Sequence, residues 1–291
     1  MTDRFSRAFP FLFVVLWSTG FIGARLGLPH IEPLTFLLIR YLVVIGCMVV
    51  LALAFRAPWP QTPSAWLHIG IAGLLMHGVY LGGLFLASSW GMPTGIGSLI
   101  ASLHPVITAV ASRGVLGERL QRVQWLGIGL GFAGVVAVVI DHFIGASAGL
   151  SAGMLLASSC SVLGMSAGTL VQRRRGGTTP LPWGTAMQYL AAASVLALGA
   201  LVHTDEGFHV TARSLFALAW AVGVLSIAAV LIMLWLLQRE AAAQVSSLFF
   251  LTPALSTVEG AILFGERMGV LAVVGLVVAL AGVSLTLRST R

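Results

Sequence analysis

Two imidazoles offer the clearest chemistry. His77 and His104 fall near the middle of long apolar segments. A polar side chain at lipid depth is costly and faces a cavity or a partner. Imidazole changes charge near neutral pH, so two of them at the midplane of neighbouring helices can take a proton or an anionic group. A neutral ring satisfied by a backbone carbonyl is the plainer reading, and both stand. Tyr80 lies one helical turn from His77 on the same face, which suits an amphipathic organic solute or ordinary packing. Arg40 and Glu259 carry opposite charges. Each lies about 5–6 residues inside one end of its segment, so at 1.5 Å per residue their depths match within a few ångströms. Pairing would lower the cost of both charges and would make an outer gate that opens when a solute competes. Two separate side chains reaching for headgroups is the alternative.

Weaker signals surround these groups. Trp17, Ser18 and Thr19 sit mid-segment and offer a stacking surface with hydroxyls. Gln188, Tyr189, Gln244, Ser247 and Thr252 offer similar groups later in the chain. Pro105 and Pro253 each remove a backbone donor and free a carbonyl one turn earlier, which bends a helix and can expose the carbonyl to a cavity. A hinge or cavity-shaping role follows for both. Enzyme motifs are missing: there is no His-Glu-x-x-His, no Gly-Lys-Ser/Thr phosphate cradle and no paired mid-segment Asp. Cys47 and Cys160 form neither a disulfide framework nor a metal-ligand spacing. No cofactor or metal is expected, so any transport is passive or driven by an ion gradient, most simply protons. A membrane-embedded enzyme or a structural membrane protein remains the alternative of a different class.

The elements that must position these residues are helices in lipid. The chain has 291 residues, 58% hydrophobic and 9% charged, with mean hydropathy +1.00. A soluble protein carries about 25% charged residues, so this chain cannot clothe a water-facing surface. The net charge of +7 is all Arg over acid, spread singly or in one short run between apolar segments, which argues against nucleic acid. Segments of spanning length, about 20 residues, run 9–27, 34–55, 66–88, 94–115, 123–140, 149–171, 183–203, 214–237, 242–264 and 269–288. The N-terminal run reads as a retained first span and not as a cleaved leader. With the N-terminus inside, inner joints carry twelve Arg and outer joints three (Arg25, Arg213 and Arg267), with Arg40 inside a span. This bias places both termini in the cytoplasm. Arg173, Arg174 and Arg175 would then anchor the inner surface to anionic lipid.

The chain also repeats itself. Placing Ser98 over Ser246 aligns residues 98–139 with 246–287 without a gap, and 11 of the 42 positions are identical. They include Pro105 over Pro253, Gly117-Glu118-Arg119 over Gly265-Glu266-Arg267, and Gly127 over Gly275. Beyond this block Ser18, Gly20 and Arg25 meet Ser166, Gly168 and Arg173, and Tyr41 meets Tyr189. Two units follow, 1–146 and 147–291, each of five spans. Five is odd, so the second unit enters the membrane from the opposite side. The fold class is all-α integral membrane: ten transmembrane helices in two inverted five-helix repeats, the arrangement that alternating access uses. Gly127-x-x-x-Gly131 and Gly275-x-x-x-Ala279 mark close helix packing in spans 5 and 10, within a monomer or at a homodimer contact.

These residues resemble the drug/metabolite transporter superfamily, specifically its EamA-type exporters. The matching pieces are Trp17-Ser18, Arg40-Tyr41, Leu103-His104-Pro105-Val106 with Leu116-Gly117-Glu118, and Leu251-Thr252-Pro253-Ala254 with Phe264-Gly265-Glu266. His104 and Glu259 have no counterpart in that pattern. The resemblance implies a central cavity lined by spans 1–4 and 6–9, with spans 5 and 10 outside it. It implies export of small organic metabolites, most commonly amino acids, across a bacterial inner membrane, with drugs or nucleobase-like metabolites as alternative cargo.

Overall fold

The computed structural model describes residues 8–20, 32–60, 62–92, 97, 100–143, 151–175, 180–200, 211–264 and 269–287. Ten helices are found there: α1 Phe9–Ser18, α2 Pro33–Ala54, α3 Pro63–Ser89, α4 His104–Val115 and α5 Arg122–Phe143 in the first half, then α6 Ala152–Arg175, α7 Leu181–Ala200, α8 Ala212–Arg239, α9 and α10 Val270–Thr286. The ninth, α9, starts as Ala242–Ser247, tightens to 3-10 geometry over Leu248–Phe250 and resumes as Leu251–Phe264. The unit boundary at 146, Arg25, Pro93 and the second Gly-Glu-Arg triplet lie outside the described residues.

Local chemistry starts these helices where the sequence places its breakers. Glu32 caps α2, accepting from the Leu34 and Thr35 amides at 2.9 and 2.6 Å, with Pro33 in the first turn. Thr62 caps α3 ahead of Pro63, and Thr211 with Ser214 forms a reciprocal capping pair on α8. Side-chain oxygens here replace the helical acceptors that the first amides lack. The outer surface is apolar: Phe11, Phe55, Ile262 and Val270 all lie exposed, as lipid-facing residues must. Trp59, Trp66 and Trp183 pack edge to face, and the Trp66 and Trp183 indoles donate to the Pro60 and Ala57 carbonyls. Such wet-edged aromatics mark a membrane interface.

The helix crossing between α5 and α10 shows the inversion directly. A Cβ on Gly127 would meet the Gly282 carbonyl at 2.5 Å, and one on Gly134 would meet the Gly275 carbonyl at 2.6 Å. Low residue numbers on one helix face high numbers on the other, so the two run antiparallel. The contact is also self-reciprocal, because Gly127 and Gly134 fall on Gly275 and Gly282 at the repeat offset. A pseudo-two-fold axis therefore passes through this crossing. The glycine faces meet within one chain, and only residues without a side chain let the backbones come this close.

Two further features obey the same offset. The helical hydrogen bonding widens to the π form over Leu74–Val79 in α3 and over Ala221–Ala229 in α8; 74–79 shifted by 148 is 222–227. The helices carrying Pro105 and Pro253 are both interrupted just before the proline, at the turn Ser102–Leu103 and at the tightened Leu248–Phe250. Proline strips the amide that would bond the residue four back. The carbonyls of Ala101 and Phe249 lose that partner, and α4 restarts within one residue of Pro105.

Candidate solute site

The centre of the bundle holds a polar and aromatic cluster drawn from both halves. Tyr41 on α2 and Tyr189 on α7, mates at the repeat offset, meet ring to ring at 4.8 Å. His77, in the π segment of α3, stacks on Tyr189 at 4.2 Å with planes 15° apart. The Tyr41 hydroxyl donates to the His77 carbonyl at 2.9 Å. Arg40, next to Tyr41, is 5% exposed, and its Nε donates to Ser226 Oγ at 2.7 Å in the π segment of α8. Both widened segments thus deliver a residue to the same place; such widening recurs at functional sites because it re-aims side chains. Gln188 Nε2 donates to Gln172 Oε1 on α6 at 2.8 Å. The Tyr189 hydroxyl lies beside Ser226 and Arg40, short of hydrogen-bond geometry with either. His77 Nε2 and Gln188 Oε1 are likewise buried without partners.

His104 belongs to a second cluster. Its Nδ1 faces Ser166 Oγ at 3.0 Å and Thr108 Oγ1 at 3.2 Å, and its ring meets the edge of Phe249 at 5.0 Å. Phe249 also packs on Phe13 and Trp17. The two helix interruptions therefore face each other, His104 from one and Phe249 from the other. A third group forms around Glu259, whose Oε1 accepts from Ser18 Oγ at 2.5 Å; the Ser256 hydroxyl donates to the Ser18 carbonyl at 3.1 Å. Tyr80 links the first and second groups, with its hydroxyl beside the Trp17 indole and within the field of Arg40. Thr19 Oγ1 accepts from the Trp220 indole at 3.0 Å.

Several sequence expectations change on this geometry. The two imidazoles do not form one site: His77 packs against α7 and His104 against α6 and α9. Arg40 and Glu259 are not paired here, and each bonds a serine on a different helix. Gln244 lies away from the centre, where its amide reaches the Thr286 carbonyl at 3.5 Å, and Ser247 bonds back to the Gln244 carbonyl. Thr252 is buried with an unpartnered hydroxyl. Arg173 is not free for lipid, because it donates to the Leu237 carbonyl at 3.1 Å and lies 3.7 Å from Glu118. Glu118 in turn accepts from the Ala242 amide at 3.0 Å, so one carboxylate ties the ends of α6, α8 and α9 to the end of α4. Sequence reasoning missed Ser226, Ser166, Phe249 and Gln172 as site residues. Only Ser166 carried a signal, as the mate of Ser18. A groove of about 410 Å³ lined by His68, Val115, Leu170, Arg174 and Arg175 opens at the same end of the bundle as Glu118, away from the aromatic centre.

A ten-helix membrane bundle, two-fold repeated and with a polar centre shared by its halves, has the architecture of a membrane transporter. The chain belongs to the EamA-like transporter family, whose signature matches residues 8–140 and again 151–288. It is 26% identical over 93% of its length to a probable amino-acid metabolite efflux pump of Salmonella typhimurium, covering 91% of that protein. It is 24% identical over 89% of its length to the uncharacterized inner membrane transporter YedA of Escherichia coli, covering 82% of it. A crystal structure at 20% identity superposes with a TM-score of 0.81, over 97% of this chain and 96% of the other; that likeness shows the fold.

Proposed function

We propose that the protein is a secondary transporter that exports small organic metabolites, amino acids first among them, across a bacterial inner membrane by alternating access. The observation that carries this is the central cluster: Tyr41 and Tyr189 are repeat mates in ring contact, with buried polar groups of both halves around them. A site near the bilayer midplane, between inverted repeats, is where one arrangement can open to one side and its exchange to the other. The name of the Salmonella relative supports amino acids as cargo, and the aromatic lining suits drugs or nucleobase-like metabolites as the second reading. Both termini are cytoplasmic, and residues 1–146 and 147–291 act as the two moving halves. The helix interruptions at Pro105 and Pro253 serve as the hinges. Protons are the simplest coupling ion, with His77 and His104 as the titrating groups. Arg40 and Glu259 gate the outer side by exchanging their serine partners for one another when that side closes.

The test is counterflow in liposomes. Protein reconstituted with unlabelled amino acids inside should accumulate the labelled amino acid from outside, and an imposed proton gradient should change the extent. Vesicles that accumulate nothing from panels of amino acids, nucleobases and cationic drugs would remove the transport reading.

A further inference from the structure

Arg40 is a buried cation with no carboxylate partner among the described residues. Among the acids whose side chains are described, Glu32 caps α2, Glu118 lies against Arg173, Glu259 holds Ser18, and Glu240 is exposed at the end of α8. Arg40's hydrogen bond is to a neutral hydroxyl, Ser226, through Nε alone. Three further buried polar atoms in this cluster lack a hydrogen bond of good geometry: the Tyr189 hydroxyl beside Arg40, and His77 Nε2 and Gln188 Oε1 beside one another. Leaving one such group unsatisfied is destabilising, and leaving a charge so is more destabilising still. Packing alone gives no reason to gather four of them in one place.

The repeat sharpens the point. Arg40 falls on Gln188, and Tyr41 on Tyr189. The tyrosines straddle the pseudo-two-fold relation, while the charge exists on one side only. A scaffold built on two-fold symmetry has no use for that asymmetry. A solute with one anionic end does, because the charge fixes which end points towards α2. The chemistry of the anion follows from the donors. With Nε engaged, the guanidinium presents its terminal N–H groups in a plane, the geometry that a carboxylate accepts side-on. The Tyr189 hydroxyl beside it adds a donor. A phosphate ester brings a second charge, and among the described residues no second Lys or Arg is buried there.

We propose that Arg40, steadied by Ser226 and assisted by Tyr189, is the receptor for the carboxylate group of the transported solute. The inference deepens the transport reading above and rests on it. The Tyr189–His77 stack, with Tyr41 edge-on to both rings, occupies the centre in this conformation, so the solute enters as the rings part. Glu259, bonded to Ser18 next to Trp17 in the chain, is, among the described residues, the acid nearest that end of the cluster's Tyr80–Trp17 contact and would meet an ammonium group when the solute is an amino acid.

Purified protein in lipid nanodiscs, titrated by calorimetry, provides the test. The probes are L-leucine, L-phenylalanine and L-glutamine, each against its own carboxamide, together with phenylacetate as an acid without an amine. At least one acid should bind about 10- to 100-fold more tightly than its amide, the loss expected when a charged hydrogen-bonded partner is removed. Arg40→Gln should erase that preference by weakening the acid and sparing the amide, and Arg40→Lys should keep part of it. If Arg40→Gln does not elute as a folded protein, Ser226→Ala carries the mutational arm, with a smaller loss confined to the acid. Equal binding of acid and amide by the wild type overturns the proposal, as does binding of no carboxylate at about 10 mM or a preference that survives both variants. Liposome flux of uncharged and cationic solutes decides transport separately. Flux without acid preference rejects Arg40 and keeps the transporter, and acid preference without flux of any solute does the reverse.

Discussion

Glu118→Ala should loosen the end of the bundle where four helices meet. The α9 helix begins at Ala242 with Ala241 as its cap residue, which has no side-chain acceptor. Glu118 supplies one from another helix, taking the Ala242 amide at 3.0 Å. Loss of a capping oxygen costs about 1 kcal/mol, and here the acceptor is charged at a helix N-terminus. The contact with Arg173 is long, 3.7 Å, with the side chains 29% and 14% exposed; a partly exposed pair adds only about 0.5 kcal/mol. The total for Glu118→Ala is about 1.5–2 kcal/mol, with the cap as the larger share. Glu118→Gln keeps an oxygen for the amide and should lose about 0.5–1 kcal/mol. Arg173→Ala also loses the bond to the Leu237 carbonyl, so the two residues should couple by about 0.5 kcal/mol in a double-mutant cycle. The assay is reversible unfolding in mixed micelles followed by tryptophan fluorescence. Glu118→Gln proving as harmful as Glu118→Ala would refute the cap as the main contribution. A Glu118→Ala protein within about 0.3 kcal/mol of wild type would refute the whole account.

Other outcomes follow from the same geometry. A reporter fused after Arg291 should be active only as a cytoplasmic type and one inserted near Glu206 only as an external type; the opposite pattern removes the assigned orientation. His→Gln at position 77 or 104 should flatten the pH dependence of flux with solute binding largely kept, and unchanged profiles in both variants leave the imidazoles structural. Gly134→Val should cost about 2 kcal/mol or more, because its Cβ would lie 2.6 Å from the Gly275 carbonyl in a crossing that cannot absorb it. Gly129→Ala, with nothing within 4 Å, should be neutral or slightly stabilising by the helix preference of alanine, and the contrast is read in the same unfolding assay. A double-mutant cycle on Arg40 and Glu259, scored by flux, should show coupling if the pair closes the outer side, and additive effects reject that gate.

The fold was legible because its two determinants are written in one dimension. Apolar length marks the helices, and the 148-residue offset marks the repeat. The Glu32, Thr62 and Thr211 caps stand where the breakers predicted boundaries. The widened segments in α3 and α8 were not legible: nothing in Leu-Leu-Met-His-Gly-Val or Ala-Val-Gly-Val-Leu-Ser announces an extra residue per turn. Their shared offset appears only once the hydrogen bonding is seen. The proline positions were legible, but not that each sits just past a break.

The site was half legible, and the reason is geometric. Position along a span gives depth, and depth grouped Arg40 with Glu259 and His77 with His104. Contact also needs rotation about each helix axis, which the polarity of a nearly all-apolar helix barely encodes. Arg40 turns towards Ser226 and Tyr189, whereas Glu259 turns towards Ser18, 241 residues away in sequence. The information that depth lacks was present in the repeat. Tyr41 aligned on Tyr189, and two residues related by a two-fold axis touch only if they lie near it. A repeated aromatic on the second helix of each half therefore marks where the halves meet. The unmatched neighbours, Arg40 against Gln188, mark where one half does something that the other does not. A transporter built from inverted halves must bind its solute where both can reach it, yet most solutes have no two-fold symmetry. The residue that breaks the repeat next to the residue that keeps it is where that conflict is resolved, and here that residue is Arg40.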